Sequence, residues 1–409
     1  MTNVRRVVQS QFDVRHLFMK KTTEPRSQSF RAKLRKLPLE VKWPILLTLI
    51  TLAALSALAV RSFMRNETSS NVIKIGAILP QTGPGAVFAQ YIQEGSDLAV
   101  EEINARRGKQ VKILYEDSKN LPHEGVTVYN KLVSTEHPPV VMVALSSVAR
   151  ALAPLAAQSD TAQIYIAVAI PDITDGEHTF RVYPEASGMA GVMARYSASK
   201  LNSKIAAVFY VNDDFGRVSL DAYRKELERL GGKVVFSESY ELQETDFRPQ
   251  ISKLKSLNPA PDVIYLSGYG PAYGVAVRQF REQNVAALIT ADMTMGLPNT
   301  QEQVGSAGEE VYFVDGKISP EFEKKFRARY GRAPSSYAGY SYDIIHLLDR
   351  VAETKKVFTF ASVRDGLLEV KDYRGAMGTI GITPTGDSTL QFVVKKTSGG
   401  INTVVSDAQ

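Results

Sequence analysis

The sequence predicts an α/β protein with two doubly wound, parallel-sheet lobes preceded by one N-terminal transmembrane helix. Three observations predict this: one uncharged segment near the N-terminus, a series of short apolar runs, and the amphipathic stretches that separate those runs. A chain of 409 residues is long enough for two or three domains with sizeable cores.

The positive charge of the chain is concentrated in its N-terminal part. Residues 1–66 hold 13 of the 49 lysines and arginines but only 3 of the 43 acidic residues. The rest of the chain is therefore mildly acidic, and its charge gives no general argument for binding nucleic acid.

The uncharged segment runs from Trp43 to Val60 and, as a helix, spans about 27 Å, close to the thickness of a bilayer core. We therefore predict a basic cytoplasmic tail (1–42), a transmembrane signal anchor (43–60) and a polar linker (61–71). Ala57-Leu58-Ala59 resembles a signal-peptidase site, so cleavage is the alternative. The long tail favours a retained anchor, even with Met19 as the start. The basic side stays in the cytoplasm, and the body is exported.

From Val72 onwards, apolar runs alternate with amphipathic stretches. The runs predicted as strands are VIKIGAILP, VKILYED, PVVMVAL, IYIAVAI, KIAAVFYVND, KVVFSESY, DVIYLSGY and AALITAD. The stretches predicted as helices are IQEGSDLAVEEINA, HEGVTVYNKLVST, SLDAYRKELERLGG, DFRPQISKLKSL, YGVAVRQFREQ, EFEKKFRARYG and YAGYSYDIIHLLDRVAE. Two such series, before and after about Tyr183, each have the size of one doubly wound domain. The end of the chain, from Thr379, is more β-like.

The motifs of common enzymes are missing from the sequence. It has no GxxxxGK[ST] or GxGxxG loop, no GxSxG elbow and no HExxH pair. It has no cysteine, which excludes disulfides, thiolate metal sites and a cysteine nucleophile, and its 5 histidines lie singly. Paired acids such as Asp213-Asp214 are expected to be solvated faces or helix caps. We therefore predict a binding protein with no catalytic residues, no cofactor and no metal site.

Several segments, taken in order, resemble one known family. They are IKIGAILPQTGPGAVFAQYIQEGSDLAVEEINA, LYEDSKNLPHEGVTVYNKLV, VVMVALSSVARALAP, TFRVYP, the long stretch from FYVNDDFGRVS to DVIYLSGY, and YGRAPSSYAGYSYDIIHLL. Together they resemble the type I periplasmic solute-binding proteins, in particular the branched-chain amino-acid (leucine/isoleucine/valine-binding) group. The resemblance extends from residue 72 to about residue 400.

The resemblance implies two lobes joined by three hinge crossovers. Lobe 1 would contain residues 72–183 and 315–383, and lobe 2 residues 184–314 and 384–409. It also implies a small amino-acid-like or amide-like ligand that is delivered to an ABC permease. Together with the predicted anchor, this gives a protein tethered to the bacterial inner membrane, with its body in the periplasm or extracytoplasmic space. The alternative is a ligand sensor of the same fold that signals to a separate membrane or cytoplasmic partner, which the long basic tail favours.

The resemblance also implies which residues of the first lobe hold the ligand. Ser147, with Ser146 beside it, would bind a carboxylate, while the alternative is that either serine only caps the following helix. Ala167 would offer its carbonyl to an ammonium group. Ala169 stands where the family has a threonine, so a hydroxyl contact is lost.

From the second lobe, the resemblance implies Tyr269 as an aromatic contact and Asp292 as the acid that pairs with an ammonium group. The alternative for Asp292 is a loop cap. Phe88 would line the side-chain pocket or belong to the core. Arg150 is either a solvent-facing arginine or a contact to a second ligand carboxylate.

Overall fold

The first half of the body forms a five-stranded parallel sheet in the order β2-β1-β3-β4-β5. The computed structural model describes residues 72–83, 85–106 and 110–408. The elements of this half are β1 (Val72–Leu79), α1 (Ala86–Asn104), β2 (Gln110–Asp117), α2 (Pro122–Glu136), β3 (Val140–Ala144), α3 (Ser146–Ala156), β4 (Ala162–Ile166) and β5 (Thr179–Arg181). Strands β3 and β4 are buried along their whole length, as continuous apolar runs in a covered parallel sheet should be.

The second sheet has seven strands in the order β15-β14-β10-β9-β8-β6-β7. Its strands are β6 (Ile205–Val211), β7 (Lys233–Tyr240), β8 (Val263–Ser267), β9 (Leu288–Ala291), β10 (Val311–Gly316), β14 (Phe392–Ser398) and β15 (Ile401–Ala408). Strands β6 to β10 are parallel, as expected, but β14 and β15 add an antiparallel edge. The edge arises because Gly399 and Gly400 form a hairpin turn with positive φ at both residues.

Helices of the second half surround this sheet, and the last helices return to the first. They are α4 (Ala186–Ser199), α5 (Asp214–Arg229), α6 (Arg248–Lys255), α7 (Pro271–Glu282), α8 (Pro298–Val304), α9 (Pro320–Tyr330), α10 (Ser336–Lys355) and α11 (Phe360–Leu368), with 3₁₀ turns at Met293–Gly296 and Gly305–Gly308. A small antiparallel sheet contains β11 (Tyr373–Gly375), β12 (Gly378–Ile382) and β13 (Ser388–Thr389).

The chain passes between the two sheets three times. It leaves the first sheet after β5, returns after β10 to pack α10 against α1, and enters the second sheet again at β14. The packing of α10 on α1 requires glycine at Gly95, because a Cβ there would lie 2.0 Å from the carbonyl oxygen of Ala338. This path agrees with three crossovers, while the exact lobe boundaries given above stay a prediction.

The predicted tail, anchor and linker (1–42, 43–60 and 61–71) lie outside the described residues. Within the described ranges, no helix is both long enough and apolar enough to cross a membrane.

Candidate ligand-binding cavity

Two strands of the first sheet end in backbone turns that L-residues rarely adopt. Leu145, directly after β3, has φ 70°, and Ala167, directly after β4, has φ 55°. The predicted strand IYIAVAI therefore ends at Ile166 rather than continuing to Ile170. The two turns bring the start of α3 beside the segment after β4, where the Ser146 hydroxyl accepts a hydrogen bond from the backbone N–H of Ala169 at 3.3 Å.

A buried arginine holds the segment after β4 in place. Arg181, on β5, is fully buried and donates to the carbonyl oxygens of Val168 at 3.3 Å and Ile170 at 2.6 Å. Its charge is balanced by Glu185 and by Asp387, whose carboxylate lies 2.6 Å from Nε. Since Val168 lies between Ala167 and Ala169, these bonds fix the part of the first lobe that faces the cavity.

The second half contributes the start of α5 and the turn after β8. Asp213 caps α5 by accepting from the N–H of Gly216 at 2.9 Å, as expected for this acid, and also accepts from the Tyr269 hydroxyl at 2.6 Å. Burial raises the pKa of Asp213. The turn before Tyr269 requires glycine, because Gly268 has φ 151° and a Cβ there would lie 2.0 Å from the Tyr240 hydroxyl.

Between these segments lies a cavity of about 300 Å³. Its lining residues are Phe88, Leu145, Ser146, Ser147, Ala167, Ala169, Tyr183, Asn212, Asp213, Asp214, Phe215, Arg217, Gly268, Tyr269, Met293, Thr294 and Tyr337. The structure thus brings together six of the seven site residues expected from the sequence, and only Asp292 is missing from the lining. The cavity lies at the carboxyl ends of strands from both sheets, where open α/β sheets bind ligands.

Asp292 lies beneath the cavity instead of facing it. It is 1% exposed, and its carboxylate accepts hydrogen bonds from the N–H groups of Gly268 at 2.6 Å and Thr294 at 2.9 Å. The Tyr273 hydroxyl donates to it at 3.3 Å, and burial raises its pKa to about 6. The alternative of a loop cap therefore describes Asp292 in this structure, and its neighbours Met293 and Thr294 line the cavity in its place.

Aromatic rings form much of the wall. Phe88 meets Tyr269 edge to face at 5.7 Å between ring centroids and Tyr337 at 5.1 Å, while Tyr183 lies 5.5 Å from Tyr337. Phe88 is 3% exposed, so it belongs to the core and to the cavity wall at once. Tyr183 and Tyr337 line the cavity but were not predicted from the sequence as site residues.

The signal for some of the missed residues was present in the sequence. Asp213 and Phe215 follow the buried strand β6 directly, and polar or aromatic residues after a parallel strand are candidates for a ligand site. Tyr337 had no such signal, because it lies in a helix whose face toward the cavity is decided by the crossover.

Charged groups at the cavity mouth pair with each other. Asp214 forms ion pairs with Arg217 at 2.7 Å and with Arg150 at 3.1 Å. Arg150 thus meets neither expectation fully: its side chain is 57% exposed, yet it contacts a carboxylate of the second half.

Ser147 contacts a neutral group: its hydroxyl donates to the amide oxygen of Asn120 at 3.2 Å. Among the residues that the structure describes, no group of three or more His, Asp or Glu side chains could hold a metal ion.

Comparison with known proteins gives the family. The model of the periplasmic binding protein family matches residues 72–392, so the chain belongs to this family. An amino acid binding protein of Pseudomonas aeruginosa is 31% identical over 318 residues, covering 71% of this chain and 81% of that protein. A Leu/Ile/Val-binding protein homolog of Brucella abortus is 27% identical over 338 residues, covering 79% and 89%.

A solved leucine-binding protein of Thermotoga maritima has the same fold, with a TM-score of 0.77 and 24% sequence identity over 82% of this chain and 99% of its own. The type I periplasmic binding fold with parallel sheets expected from the sequence is therefore confirmed, as is the resemblance to the Leu/Ile/Val-binding group. The relatives of the chain are periplasmic solute-binding proteins and not enzymes, in line with the expectation from the sequence.

Proposed function

We propose that this protein captures a small amino-acid-like or amide-like ligand in the cavity between its two sheets and delivers it to an ABC permease. The observation that carries the proposal is the cavity itself, which is concave, partly aromatic and lined from both halves of the body. The names of the relatives support the same class of ligand, since they include amino acid binding and Leu/Ile/Val-binding proteins.

In this proposal the first half binds the carboxylate of the ligand. The N–H groups in the first turn of α3 have no partner within the helix, and the helix dipole favours an anion there. Ser146 and Ser147 add hydroxyl groups, and Ala167 offers its carbonyl to a ligand N–H. Ala169 supplies only a methyl group, so the carboxylate is held by fewer donors than a threonine at this position would allow.

Capture would occur by closure of the two lobes, 72–183 with 315–383 and 184–314 with 384–409. The contacts that join the halves around the cavity include three polar ones: the Tyr91 hydroxyl donates to Asn299 at 3.2 Å, the Tyr183 hydroxyl lies 3.0 Å from the sulfur of Met293, and Arg150 pairs with Asp214. A ligand that touches both halves favours the closed state over an open one, which is how such hinges respond to a ligand.

The N-terminal segment would tether the body outside the cytoplasm. The uncharged stretch 43–60 follows a basic tail, which fits a single-pass anchor in the bacterial inner membrane with the body in the periplasm. A sensor with the same fold is the second candidate, favoured by the length of the basic tail (1–42). Affinity purification of the full chain from membranes distinguishes the two, because a permease supports transport and a signalling protein supports sensing.

The test of capture is a thermal-shift screen of the full chain against amino acids, amides and small carboxylates. A ligand at 100 times its dissociation constant stabilises the folded protein by about 2.7 kcal/mol. Ala169→Leu, which adds three carbon atoms to the cavity wall, should abolish the shift, whereas Ala157→Leu, on an exposed residue, should keep it. A shift that survives in Ala169→Leu would mean that the ligand binds elsewhere.

A further inference from the structure

Two neighbouring carboxylates at the start of α5 have different surroundings. Asp214 is half-exposed and is neutralised by Arg150 and Arg217. Asp213 is more buried, and among the described residues no lysine, arginine or histidine lies within ion-pair distance of it. Its hydrogen-bond donors are the Tyr269 hydroxyl and the N–H of Gly216, both of them neutral.

Asp213 therefore brings to the cavity a carboxylate that no cation among the described residues pairs with directly. Besides burial, two nearby charges act on its pKa: Arg217, which is paired with Asp214, lowers it, while Asp214 raises it. Burial of a carboxylate is unfavourable, and burial is the largest cause of the raised pKa of Asp213; it outweighs the hydrogen bonds from Tyr269 and Gly216 and the charge of Arg217. A ligand cation beside Asp213 would remove the penalty. The rings of Tyr269, Phe215 and Phe88 line the same cavity, and aromatic faces also attract cations.

We propose that the cavity selects organic ammonium compounds and that Asp213 is the residue that recognises their positive charge. The inference rests on the proposed function and adds a ligand class and a specificity-determining residue to it. A zwitterionic ligand would then bind in a single orientation, with its carboxylate at the start of α3 and its ammonium group against Asp213. Asp292 does not serve this purpose, because Gly268, Thr294 and Tyr273 already donate to its carboxylate.

The test uses isothermal titration calorimetry on the full chain with three matched sets of ligands. Each set is an amino acid, the acid that lacks its amino group and the amine that lacks its carboxylate. The first set is leucine, 4-methylpentanoate and 3-methylbutylamine; the second is phenylalanine, 3-phenylpropanoate and 2-phenylethylamine; the third is alanine, propanoate and ethylamine. In the set that binds best, we expect the amino acid to bind at least about tenfold tighter than the acid.

Asp213→Asn should reduce this preference by about tenfold or more and leave the affinity for the acid unchanged or higher. The amide keeps the helix cap, because asparagine is as good an N-cap as aspartate. Asp221→Asn removes the same charge from an exposed site on α5 and should leave all affinities unchanged. Asp214→Asn should weaken the three members of a set by the same factor, since it loosens the contact between the halves.

The outcomes separate the two proposals. If the wild-type protein binds an acid as tightly as its amino acid, or if Asp213→Asn keeps the preference, the inference about Asp213 is wrong while capture of a small ligand stands. If no compound of the three sets binds, both are overturned. The wild-type preference needs no variant, so the test remains decisive even if Asp213→Asn fails to fold.

Discussion

The two rims of the cavity differ in charge. The first rim, from the first sheet and the helices packed on it, is made of Phe88, Leu145, Ser146, Ser147, Ala167, Ala169, Tyr183 and Tyr337, and none of these residues is charged. The second rim is made of Asn212, Asp213, Asp214, Phe215, Arg217, Gly268, Tyr269, Met293 and Thr294, and it carries every charged side chain of the lining. In our proposal, the first rim provides the shape of the cavity and the N–H donors at the start of α3, and the second rim distinguishes ligands by their charge.

This division follows from what supports each rim. In the first, a buried arginine and two strained turns fix backbone groups, which in our proposal bind an anion without a charged side chain. In the second, carboxylates cap α5 and the turn after β9, so charge lies next to the cavity. Changes in the first rim should affect the carboxylate end of a ligand, and changes at Asp213 in the second rim should affect its ammonium end.

The largest expected effect is a loss of folding stability when Arg181, which supports the first rim, is replaced. Arg181→Met removes a buried charge that pairs with Glu185 and Asp387 and binds two carbonyl oxygens. We expect a loss of about 3–5 kcal/mol in the free energy of unfolding, measured in urea, because partners are left unpaired in the interior. Arg248→Met, at a surface pair with Asp246, should cost less than about 1 kcal/mol. Equal losses in the two variants would contradict this account of the first rim.

The second-largest expected effect is a change in folding stability when Asp292, which supports the second rim, is replaced, and this change depends on pH. The pKa of Asp292 is about 6 in the folded protein against an ordinary value of 3.8, so the folded state holds a proton that the unfolded state releases between these values. The stability that this group contributes is complete below pH 3.8 and is lost as the pH rises through about 6.

The amide introduced by Asp292→Asn does not titrate, so the stability deficit of this variant should be larger near about pH 4 than near about pH 7.5, by about 2–3 kcal/mol. Urea denaturation of the variant and the wild-type protein at both pH values measures the difference. A deficit that is constant, or that grows with pH, would contradict the assignment of a raised pKa to Asp292.

A substitution that tightens ligand binding should distinguish the roles of the two rims. Ala169→Thr restores a hydroxyl group on the first rim and should tighten binding of ligands with a carboxylate by about threefold to tenfold, without tightening binding of amines. Ala169→Val has the same branched shape and no hydroxyl group, and it is the matched control. Calorimetry with leucine and 3-methylbutylamine measures both, and equal behaviour of the two variants would show that no ligand carboxylate lies beside residue 169.

The smallest effect is expected where the rims meet. Arg150→Ala removes the exposed pair with Asp214 and should weaken all ligands of a set equally, by less than about fivefold, with a smaller effect at high salt. Arg224→Ala breaks a pair with Asp221 inside the second half and should change no affinity. A loss confined to ammonium compounds in Arg150→Ala would contradict the division of roles between the rims.

Most strands of the two parallel sheets, and most of the first rim, could be predicted from the sequence, whereas β5, β10 and α4 were not predicted. Continuous apolar runs identify covered parallel strands, and Ser146 and Ser147 directly follow one of them. The second rim was harder to predict, because which residue faces the cavity after β9 depends on a 3₁₀ turn. That turn directs Asp292 inward, where its carboxylate accepts a hydrogen bond from the N–H of Gly268, and it exposes Met293 to the cavity.

Contacts between residues far apart in the sequence explain the other features of the site that the sequence did not predict. Local contacts make Asp213 the cap of α5 and pair Asp214 with Arg217, but the second cation beside Asp214 is Arg150, which comes from the opposite half. In the same way, the partners of Arg181 include Asp387, more than 200 positions later in the chain. Such contacts depend on the complete fold, and a pattern of single residues does not contain them.

The most direct test of the central claim is a crystal structure of the protein with the tightest-binding amino acid of the three sets. We predict density for the ligand in the cavity, with its nitrogen within about 3 Å of the Asp213 carboxylate and its carboxylate at the first N–H groups of α3. A ligand outside the cavity, or one with its carboxylate on the second rim, would contradict the account.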